Sequence, residues 1–327
     1  MNLNSKVQVL LASYNGGCFI EEQIESIFSQ KDVKVSLVIR DDGSTDNSIE
    51  KITKINLKTE DFTILRNEGS IHGHLSNFGA LCEFALKGDA EYFAFSDQDD
   101  IWHANKLKTC IERLVDIEDE QSSNTPILIH SDLKVVDKNL VEIAPSFIKY
   151  QGIPAPQSQS GESFLHQNVA TGCTFVFNRA LLELASPIPK TVVIHDWWFA
   201  LVAKYYGVIE YLDKPLIDYR QHGGNSIGAL SSDEQRNFFS SHIYRALLRY
   251  PRHLSDSIYQ AKALELLPKT YITEASGKGL RTFCKLKEVN LLQRCKYVNK
   301  VLGKQKPIEE KLYFYVVMFL LPFFREQ

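Results

Sequence analysis

Short apolar segments that alternate with helical patterns are the feature that most constrains the fold of this chain. Residues 7–12 (VQVLLA) and 33–40 (VKVSLVIR) are almost continuously apolar, which is typical of strands buried on both faces of a parallel sheet. Apolar residues recur at helical spacing in segments 19–30 and 75–86. Further strands are predicted at residues 62–65, 92–96, 126–136 and 172–177. This alternation predicts an α/β fold with a mostly parallel central sheet and flanking helices.

The first four predicted strands all end in polar or acidic residues. The stretches that follow them are SYNGG, DDGSTD, RNEGS and SDQDD. In open α/β sheets, ligands bind outside the carboxyl ends of the strands. The sequence therefore predicts that one edge of the sheet carries the binding chemistry.

The densest cluster of charge lies in FSDQDDIW, residues 95–102, where Asp97, Asp99 and Asp100 occupy three of four consecutive positions. Like charges this close repel each other unless a positive charge lies among them. A D-x-D pair at a strand end suits Mg²⁺ or Mn²⁺, which prefer oxygen ligands and keep positions open for phosphate oxygens. A solvated acidic turn is the alternative, but a helix cap would need only one acid. We therefore expect a metal and diphosphate site here.

Two further polar stretches allow either a structural or a binding role. Asp42 in DDGSTD either belongs to an acidic turn with a helix cap or accepts hydrogen bonds from a nucleobase or ribose. In YRQHGGNS, the glycines permit close backbone approach. Arg220 and His222 in that stretch either reach a diphosphate or a metal, or serve the structure.

The stretch IHDWW places Asp196 between His195 and two tryptophans, Trp197 and Trp198. Desolvation in a partly apolar setting makes a carboxylate a better proton acceptor, and tryptophan offers a flat surface to a sugar ring. The alternative is a pair of core tryptophans with polar neighbours. The combination of an acid and an aromatic platform favours carbohydrate chemistry.

Composition excludes several classes of protein. The 327 residues are 44% hydrophobic and 24% charged, as expected of a globular chain, and the net charge of -3 does not indicate a nucleic-acid partner. The six cysteines are far apart and lack the spacing of a zinc site, which favours a reducing compartment. The first residues lack the features of a signal peptide, and no apolar run reaches the ~20 residues of a membrane span. A cytoplasmic location is expected.

The last third of the chain has a different character. From about residue 232 it is predicted to be mostly helical, and residues 281–306 are basic and precede the apolar stretch KLYFYVVMFLLPFF. This combination is typical either of peripheral contact with an anionic membrane surface or of a solvated helix followed by a buried one. We therefore expect a catalytic domain at residues 1–230 and a helical, basic and apolar region at residues 231–327.

The order of the polar motifs resembles that of glycosyltransferase family 2, whose members are inverting enzymes with the Rossmann-like GT-A fold. The motifs are, in order, SYN, DDGSTD, SDQDD, GCTFVFN, HDWW and RQHGGNSIG. The resemblance covers about residues 6–228. Within the family, the sequence looks most like the bacterial rhamnosyltransferase-type members that build cell-surface polysaccharides. It lacks the QxxRW motif of the processive synthases, and it has His195 where many relatives carry an acid.

The resemblance implies a role for each matching residue. Asp196 would be the general base that deprotonates an acceptor hydroxyl, and Asp99 would hold the divalent metal, Mg²⁺ or Mn²⁺, with His222 as a candidate second ligand. Trp197 and Trp198 would form the platform for the acceptor or sugar. The residues that would bind the nucleotide-sugar are Ser13, Tyr14, Asn15, Asp42 (at the base), Asp97 (near the ribose) and Arg220.

The resemblance also implies partners. The donor would be a dTDP- or UDP-linked sugar, with L-rhamnose favoured, and the acceptor a saccharide. If the C-terminal region docks on a membrane, that acceptor is expected to be lipid-linked at the inner face of the plasma membrane. Two alternatives stay open. A nucleotidyltransferase is one, although SYNGGCFIEEQ has no Arg or Lys where such enzymes carry a basic loop. A non-catalytic nucleotide-sugar-binding subunit or sensor is the other.

Overall fold

The computed structural model describes residues 6–56, 61–121, 124–223, 243–268, 274–302 and 308–323. Its strands are β1 (Lys6–Ser13), β2 (Lys34–Asp41), β3 (Phe62–Arg66), β4 (Tyr92–Ser96), β5 (Ile101–Trp102), β6 (Ile127–Asp137), β7 (Glu142–Ala144), β8 (Val176–Asn178) and β9 (Val208–Gln221). Its helices are α1 (Ile20–Phe28), α2 (Ser48–Asn56), α3 (His74–Ala85), α4 (Lys106–Glu120), α5 (Phe147–Tyr150), α6 (Gly161–His166), α7 (Arg179–Ala185), α8 (His195–Tyr206), α9 (Ile243–Glu265), α10 (Glu274–Cys284), α11 (Leu291–Leu302) and α12 (Ile308–Leu320). Short 3₁₀ turns lie at Pro156–Ser158, Gly172–Thr174 and Leu321–Phe323.

One mixed sheet contains all the described strands, in the order β3-β2-β1-β4-β8-β6-β9-β5, with β7 paired to β6. The four strands β3, β2, β1 and β4 are parallel, and β6 and β9 form the longest parallel ladder. Strands β5, β7 and β8 pair antiparallel with their neighbours. The α/β fold with a mostly parallel sheet is therefore confirmed. The segment predicted as a strand at residues 172–177 is a 3₁₀ turn followed by β8.

Two apolar cores, one on each face of the sheet, hold the helices in place. Helices α1 and α4 pack on one face, through residues such as Ile24 and Leu114. Helices α3 and α8 contribute to the other core, where Phe78 and Trp198 lie. Each core buries side chains of β1 on its own side, because successive residues of a strand point to opposite faces. This explains why residues 7–12 are apolar except for Gln8.

The order 3-2-1-4 places a topological switch point between β1 and β4. Ligands of open α/β sheets bind in the crevice at such a point, outside the carboxyl ends of the strands. Ser13 ends β1 and Ser96 ends β4, so SYN and SDQDD meet at this edge. The fold therefore brings together the polar stretches that the sequence singled out.

The C-terminal helices pack onto the sheet domain rather than apart from it. Leu254, Ile258 and Phe283 belong to the same core as α8. The Tyr206 hydroxyl donates to the Leu264 carbonyl at 2.6 Å. The expected boundary between residues 230 and 231 lies outside the described residues. In the part of the chain that the structure describes, no helix combines the length and the apolar character that crossing a bilayer requires.

Candidate active site

A cavity of about 640 Å³ opens at the edge where β1 and β4 end. This volume is within the range of small-ligand sites. The ends of both strands, the segment 167–172 and the N-terminus of α8 line it. Seven of the site residues predicted from the sequence border the cavity, namely Ser13, Tyr14, Asp42, Asp97, Asp99, Asp196 and Trp197.

Gln98, which was not predicted as a site residue, holds the loop after β1. Its Oε1 accepts a hydrogen bond from the Tyr14 backbone N–H at 2.8 Å, and its Nε2 donates to the Tyr14 carbonyl at 2.9 Å. Ser13 Oγ also donates to Gln98 Oε1 at 3.2 Å. A Cβ on Gly16 would come within 2.3 Å of that oxygen, so a larger residue there would displace the Gln98 amide. The aromatic ring of Tyr14 stays accessible, with 55% of the residue exposed.

The side chain of Asn15 joins the loops that follow β1 and β2. Its backbone φ is 51°, a left-handed conformation that Asn tolerates better than most residues. The Asn15 N–H donates to Ser44 Oγ, and Asn15 Oδ1 accepts from the Thr45 N–H, both at 2.8 Å. These contacts make Asn15 a support for the predicted nucleotide pocket.

Asp42 is buried and its carboxylate already has protein partners. Oδ1 accepts from Asn67 Nδ2 at 2.7 Å and from Arg40 Nη1 at 3.3 Å, while Oδ2 accepts from the Gly73 N–H at 2.7 Å. Asp42 also borders the cavity. Its orientation is thus fixed by three groups, two of which come from the 67–73 loop.

Asp99 and His222, separated by 123 positions in sequence, meet at the cavity edge. The Asp99 Oδ2 and His222 Nε2 atoms are 2.8 Å apart, and both side chains are about 15% exposed. The His222 ring also packs against Phe19, with ring centroids 4.8 Å apart. A carboxylate oxygen and an imidazole nitrogen at this separation are a ligand pair that Mn²⁺ accepts.

A second group of possible ligand atoms comes from Asp97, Asp100 and Cys173, and these atoms all lie within 4.8 Å of one another. Burial, followed by the charges of Asp99 and Asp196, raises the pKa of Asp97 to about 7. Burial raises the pKa of Asp100 and of the Cys173 thiol well above their ordinary values. The protonated thiol is a poor ligand for a hard cation, which leaves the carboxylate oxygens as donors. The residues present therefore fit a divalent cation such as Mg²⁺ or Mn²⁺.

Arg220 is placed differently from the sequence prediction. Only 3% of the residue is exposed, and it does not border the cavity. Its Nε donates to the Asp99 carbonyl at 2.9 Å, and its backbone N–H donates to Asp100 Oδ1 at 3.2 Å. Its guanidinium also pairs with Glu22 at 2.5 Å. These contacts make Arg220 a residue that positions the acidic loop, residues 97–100, and its contact with the diphosphate stays a prediction.

Asp196 lies in the first turn of α8, is 8% exposed and borders the cavity. Its Oδ2 accepts from the Gly172 N–H at 3.1 Å and its Oδ1 from the Trp197 N–H at 2.6 Å. Burial raises the pKa of Asp196 to about 6, and these hydrogen bonds limit the rise. A Cβ on Gly172 would lie 2.9 Å from Asp196 Cβ, so the close approach needs glycine. The sequence analysis did not select Gly172 as a site residue.

The aromatic neighbours of Asp196 are buried. Trp197 and Trp198 are each 1% exposed, and their indole N–H groups donate to the carbonyls of Phe164 and Ala185. The two indole rings thus present little surface to solvent, although Trp197 borders the cavity, and a sugar platform at this position stays a prediction. His195 stacks on Phe78 at 3.6 Å between ring centroids, and burial lowers its pKa well below the ordinary value. His195 is therefore neutral and contributes an aromatic ring to the lining of the cavity. Backbone N–H groups orient the Asp196 carboxylate.

Comparison with known proteins identifies relatives along most of the chain. Residues 8–183 match the family described as Glycosyl transferase family 2. The dTDP-rhamnosyl transferase RfbG of Shigella flexneri is 33% identical over 228 residues, which cover 67% of this chain and 74% of that protein. The UDP-Glc:alpha-D-GlcNAc-diphosphoundecaprenol beta-1,3-glucosyltransferase WfgD of Escherichia coli is 28% identical over 179 residues, or 54% of this chain and 62% of WfgD.

Solved structures share the fold at low sequence identity. TarS of S. aureus, residues 1–349, aligns with a TM-score of 0.53 and 16% identity over 96% of this chain and 90% of that one. The mannosyltransferase PcManGT from Pyrobaculum calidifontis, in complex with GDP-Man and Mn²⁺, aligns with a TM-score of 0.52 and 15% identity over 97% and 87%. At these identities the likeness concerns the fold alone.

Proposed function

Because this chain belongs to glycosyltransferase family 2, we propose that it transfers a sugar from a nucleoside-diphosphate sugar to a hydroxyl of a saccharide acceptor, with inversion at the anomeric carbon. The observation that carries the proposal is the shared cavity of the acidic loop and Asp196. The two are close enough for the charge of Asp196 to raise the pKa of Asp97. The proposed diphosphate site and the proposed base thus border the same cavity, in which a sugar would lie.

Asp196 is proposed as the general base. It would accept the proton of the acceptor hydroxyl while the oxygen attacks the anomeric carbon from the face opposite the leaving nucleoside diphosphate. The Gly172 and Trp197 N–H groups hold the carboxylate in place, and its raised pKa of about 6 keeps it basic yet ionised at neutral pH. A single displacement of this kind inverts the anomeric centre.

Asp99 is proposed to hold the divalent metal, with His222 as its partner. A bound Mg²⁺ or Mn²⁺ would neutralise charge on the departing diphosphate. Arg220 fixes the Asp99 backbone, and its pairing with Glu22 anchors that support to α1. The acidic loop is therefore held in place by contacts within the protein.

The donor is proposed to be dTDP-L-rhamnose, with a UDP-sugar as the alternative. The similarity to RfbG, named as a dTDP-rhamnosyl transferase, supports this choice. Ser13 and the exposed ring of Tyr14 would line the nucleotide side of the cavity, where an aromatic face can stack on a base. Asp42 would contact the base and Asp97 the ribose.

The acceptor is proposed to be a lipid-linked saccharide at the cytoplasmic face of the membrane, in the synthesis of a bacterial surface polysaccharide. The name of WfgD, a relative that acts on a diphosphoundecaprenol-linked sugar, supports this class of acceptor.

A thermal-shift panel tests the donor assignment. The purified protein is heated with dTDP-, UDP- and GDP-sugars, each with Mn²⁺ and with EDTA. A ligand that binds only the folded state raises the melting temperature by an amount that grows with the logarithm of the ratio of its concentration to its dissociation constant. We expect the largest shift with dTDP-L-rhamnose and Mn²⁺. No shift with any donor would overturn the proposal and favour a protein without a nucleotide-sugar site.

The rate of transfer is expected to fall on the acid side of about pH 6. Asp196 has a pKa of about 6 and acts only as the ionised carboxylate, so each pH unit below that value removes about nine-tenths of the active form. A profile of kcat between about pH 5 and pH 8, at saturating donor and metal, measures the effect. A rate that stays constant down to about pH 5 would contradict the role of Asp196.

A further inference from the structure

The last described helix carries an exposed apolar face. Val316, Phe319 and Phe323 follow one another at helical spacing and are 37%, 55% and 73% exposed. On the opposite face of the same segment, Val317, Met318 and Leu321 are buried in the core. The segment is thus apolar on both sides, although the core covers only one of them.

The first turn of α11 extends this exposed face. Leu291 and Leu292 are 41% and 66% exposed. The Tyr315 hydroxyl donates to Asn299 Oδ1 at 2.8 Å, and Arg294 Nη1 donates to the Met318 carbonyl at 3.0 Å, so α11 and α12 run antiparallel. Continuing that register by one turn places residues 291–292 beside residues 320–323.

The buried guanidinium of Arg294 fixes this arrangement. Besides the Met318 carbonyl, it donates to the carbonyls of Leu286 at 2.8 Å and Val289 at 2.6 Å. The end of α12 and the loop before α11 are therefore tied to one side chain. We call Leu291, Leu292, Val316, Phe319 and Phe323 the C-terminal apolar patch.

Exposed positive charge lies on the elements next to the patch. Arg281 and Lys285 are exposed at the end of α10 and just beyond it, and Lys296 is exposed on α11. The acid Glu288 is paired with Lys262 at 3.0 Å, so it does not neutralise this charge. Apolar side chains rimmed by Lys and Arg are the pattern of proteins that lie on anionic membrane surfaces.

We propose that the C-terminal apolar patch docks on an anionic lipid bilayer, with Phe319 and Phe323 inserted among the lipids and Arg281, Lys285 and Lys296 near the headgroups. This inference rests on the proposed function, because a lipid-linked acceptor would be met at that surface. A second copy of the chain fits less well as the occupant. A twofold interface through the patch would bring the basic residues of both copies towards each other.

Vesicle co-sedimentation tests the proposal. The wild-type protein is expected to bind vesicles rich in phosphatidylglycerol, to bind pure phosphatidylcholine much more weakly, and to be released by salt. The double variant F319S/F323S is expected to lose at least about tenfold in vesicle affinity, since two large apolar groups no longer enter the membrane. Leu266→Ser is the matched control, because Leu266 is 86% exposed but lies outside the patch.

Several results would overturn the proposal. They are a wild-type protein that ignores anionic vesicles, a double variant that binds like the wild type, and a Leu266→Ser variant that loses as much affinity. Wild-type self-association that the double variant abolishes, seen by sedimentation velocity, would assign the patch to a second copy. Donor-induced thermal shifts of both variants separate this test from the proposed function. We expect those shifts to equal the wild-type shift, and their loss in the double variant alone would indicate a structural role for the patch.

Discussion

Asp196→Asn is expected to lower kcat by about 10²–10⁴-fold while leaving donor affinity within about twofold of the wild type. The amide has nearly the shape of the carboxylate but cannot accept the hydroxyl proton at neutral pH. Donor affinity is expected to survive because Asp196 is the proposed base and is not among the residues proposed to hold the metal and the diphosphate. Initial rates of nucleoside-diphosphate release with acceptor present, together with the donor thermal shift, measure the two effects separately.

The same substitution is expected to raise the melting temperature. A buried carboxyl whose pKa is about 6 instead of 3.8 costs about 3 kcal/mol of folding free energy when it is ionised at neutral pH. Between pH 3.8 and about pH 6, the folded protein keeps the Asp196 proton while the unfolded chain has lost it. The free energy of unfolding therefore falls as the pH rises through this range. The amide removes that cost but keeps only one of two acceptor oxygens, so the net gain is smaller.

Asp89→Asn is the matched control for Asp196→Asn, because Asp89 is exposed in the loop before β4. It should change neither the rate nor the melting temperature. Unchanged product formation in Asp196→Asn would exclude a base role for this residue. Donor binding in a wild-type protein that shows no transfer to any acceptor would support a non-catalytic subunit or sensor.

Asp99→Ala is expected to weaken metal-dependent donor binding by at least about 100-fold, since changes at residues that only support metal ligands already cost about 10–100-fold. It should also lower transfer by about 10³-fold or more, because the charge of the leaving diphosphate would lose several kcal/mol of stabilisation. Titration of Mn²⁺ into protein with donor, followed by the loss of the free Mn²⁺ resonance signal, measures the binding. His222→Ala should act in the same direction.

Asp89→Ala serves as the control for loss of a carboxylate without loss of the site. If the Asp99 variant keeps metal-dependent donor binding, the carboxylates of Asp97 and Asp100 would be assigned as the metal ligands. A variant that loses donor binding equally with Mn²⁺ and with EDTA would indicate that Asp99 supports the fold of the loop.

The part of the fold that holds the nucleotide side was predictable, because β1, β2 and β4 are buried on both faces and are therefore mostly apolar. Their ends follow directly, since polar residues begin where the core stops. Strand β9, Val208–Gln221, was not predicted because its first half is at the surface and carries charged residues such as Glu210. Helix α4, Lys106–Glu120, was not predicted, although Leu107, Cys110, Ile111, Leu114 and Ile117 recur at helical spacing and form its buried face.

The candidate site was predictable where a residue type itself carries chemistry. Asp99 and His222 were both selected as metal ligands and lie 2.8 Å apart. The burial of individual site residues could not be predicted from residue type. Arg220 and Trp198 are residue types that often bind ligands. Both are almost fully buried here, and their N–H groups donate hydrogen bonds to backbone carbonyls of the protein.

Backbone donors and support residues left little trace in the sequence. The Gly172 N–H that holds Asp196 could have been suspected only from a glycine at the start of a predicted strand, which often marks a close approach. Gln98 stood between two acids as a spacer, and only the structure shows that its amide holds the Tyr14 backbone.

A calorimetric titration of dTDP-L-rhamnose into the wild-type protein, once with Mn²⁺ and once with EDTA, tests the central claim most directly. Metal-dependent recognition of a donor diphosphate predicts saturable binding with Mn²⁺ and at least about tenfold weaker binding with EDTA. Equal affinity under both conditions would contradict the metal site at Asp99. Absence of binding to this donor and to UDP-sugars alike would contradict the assignment of the cavity.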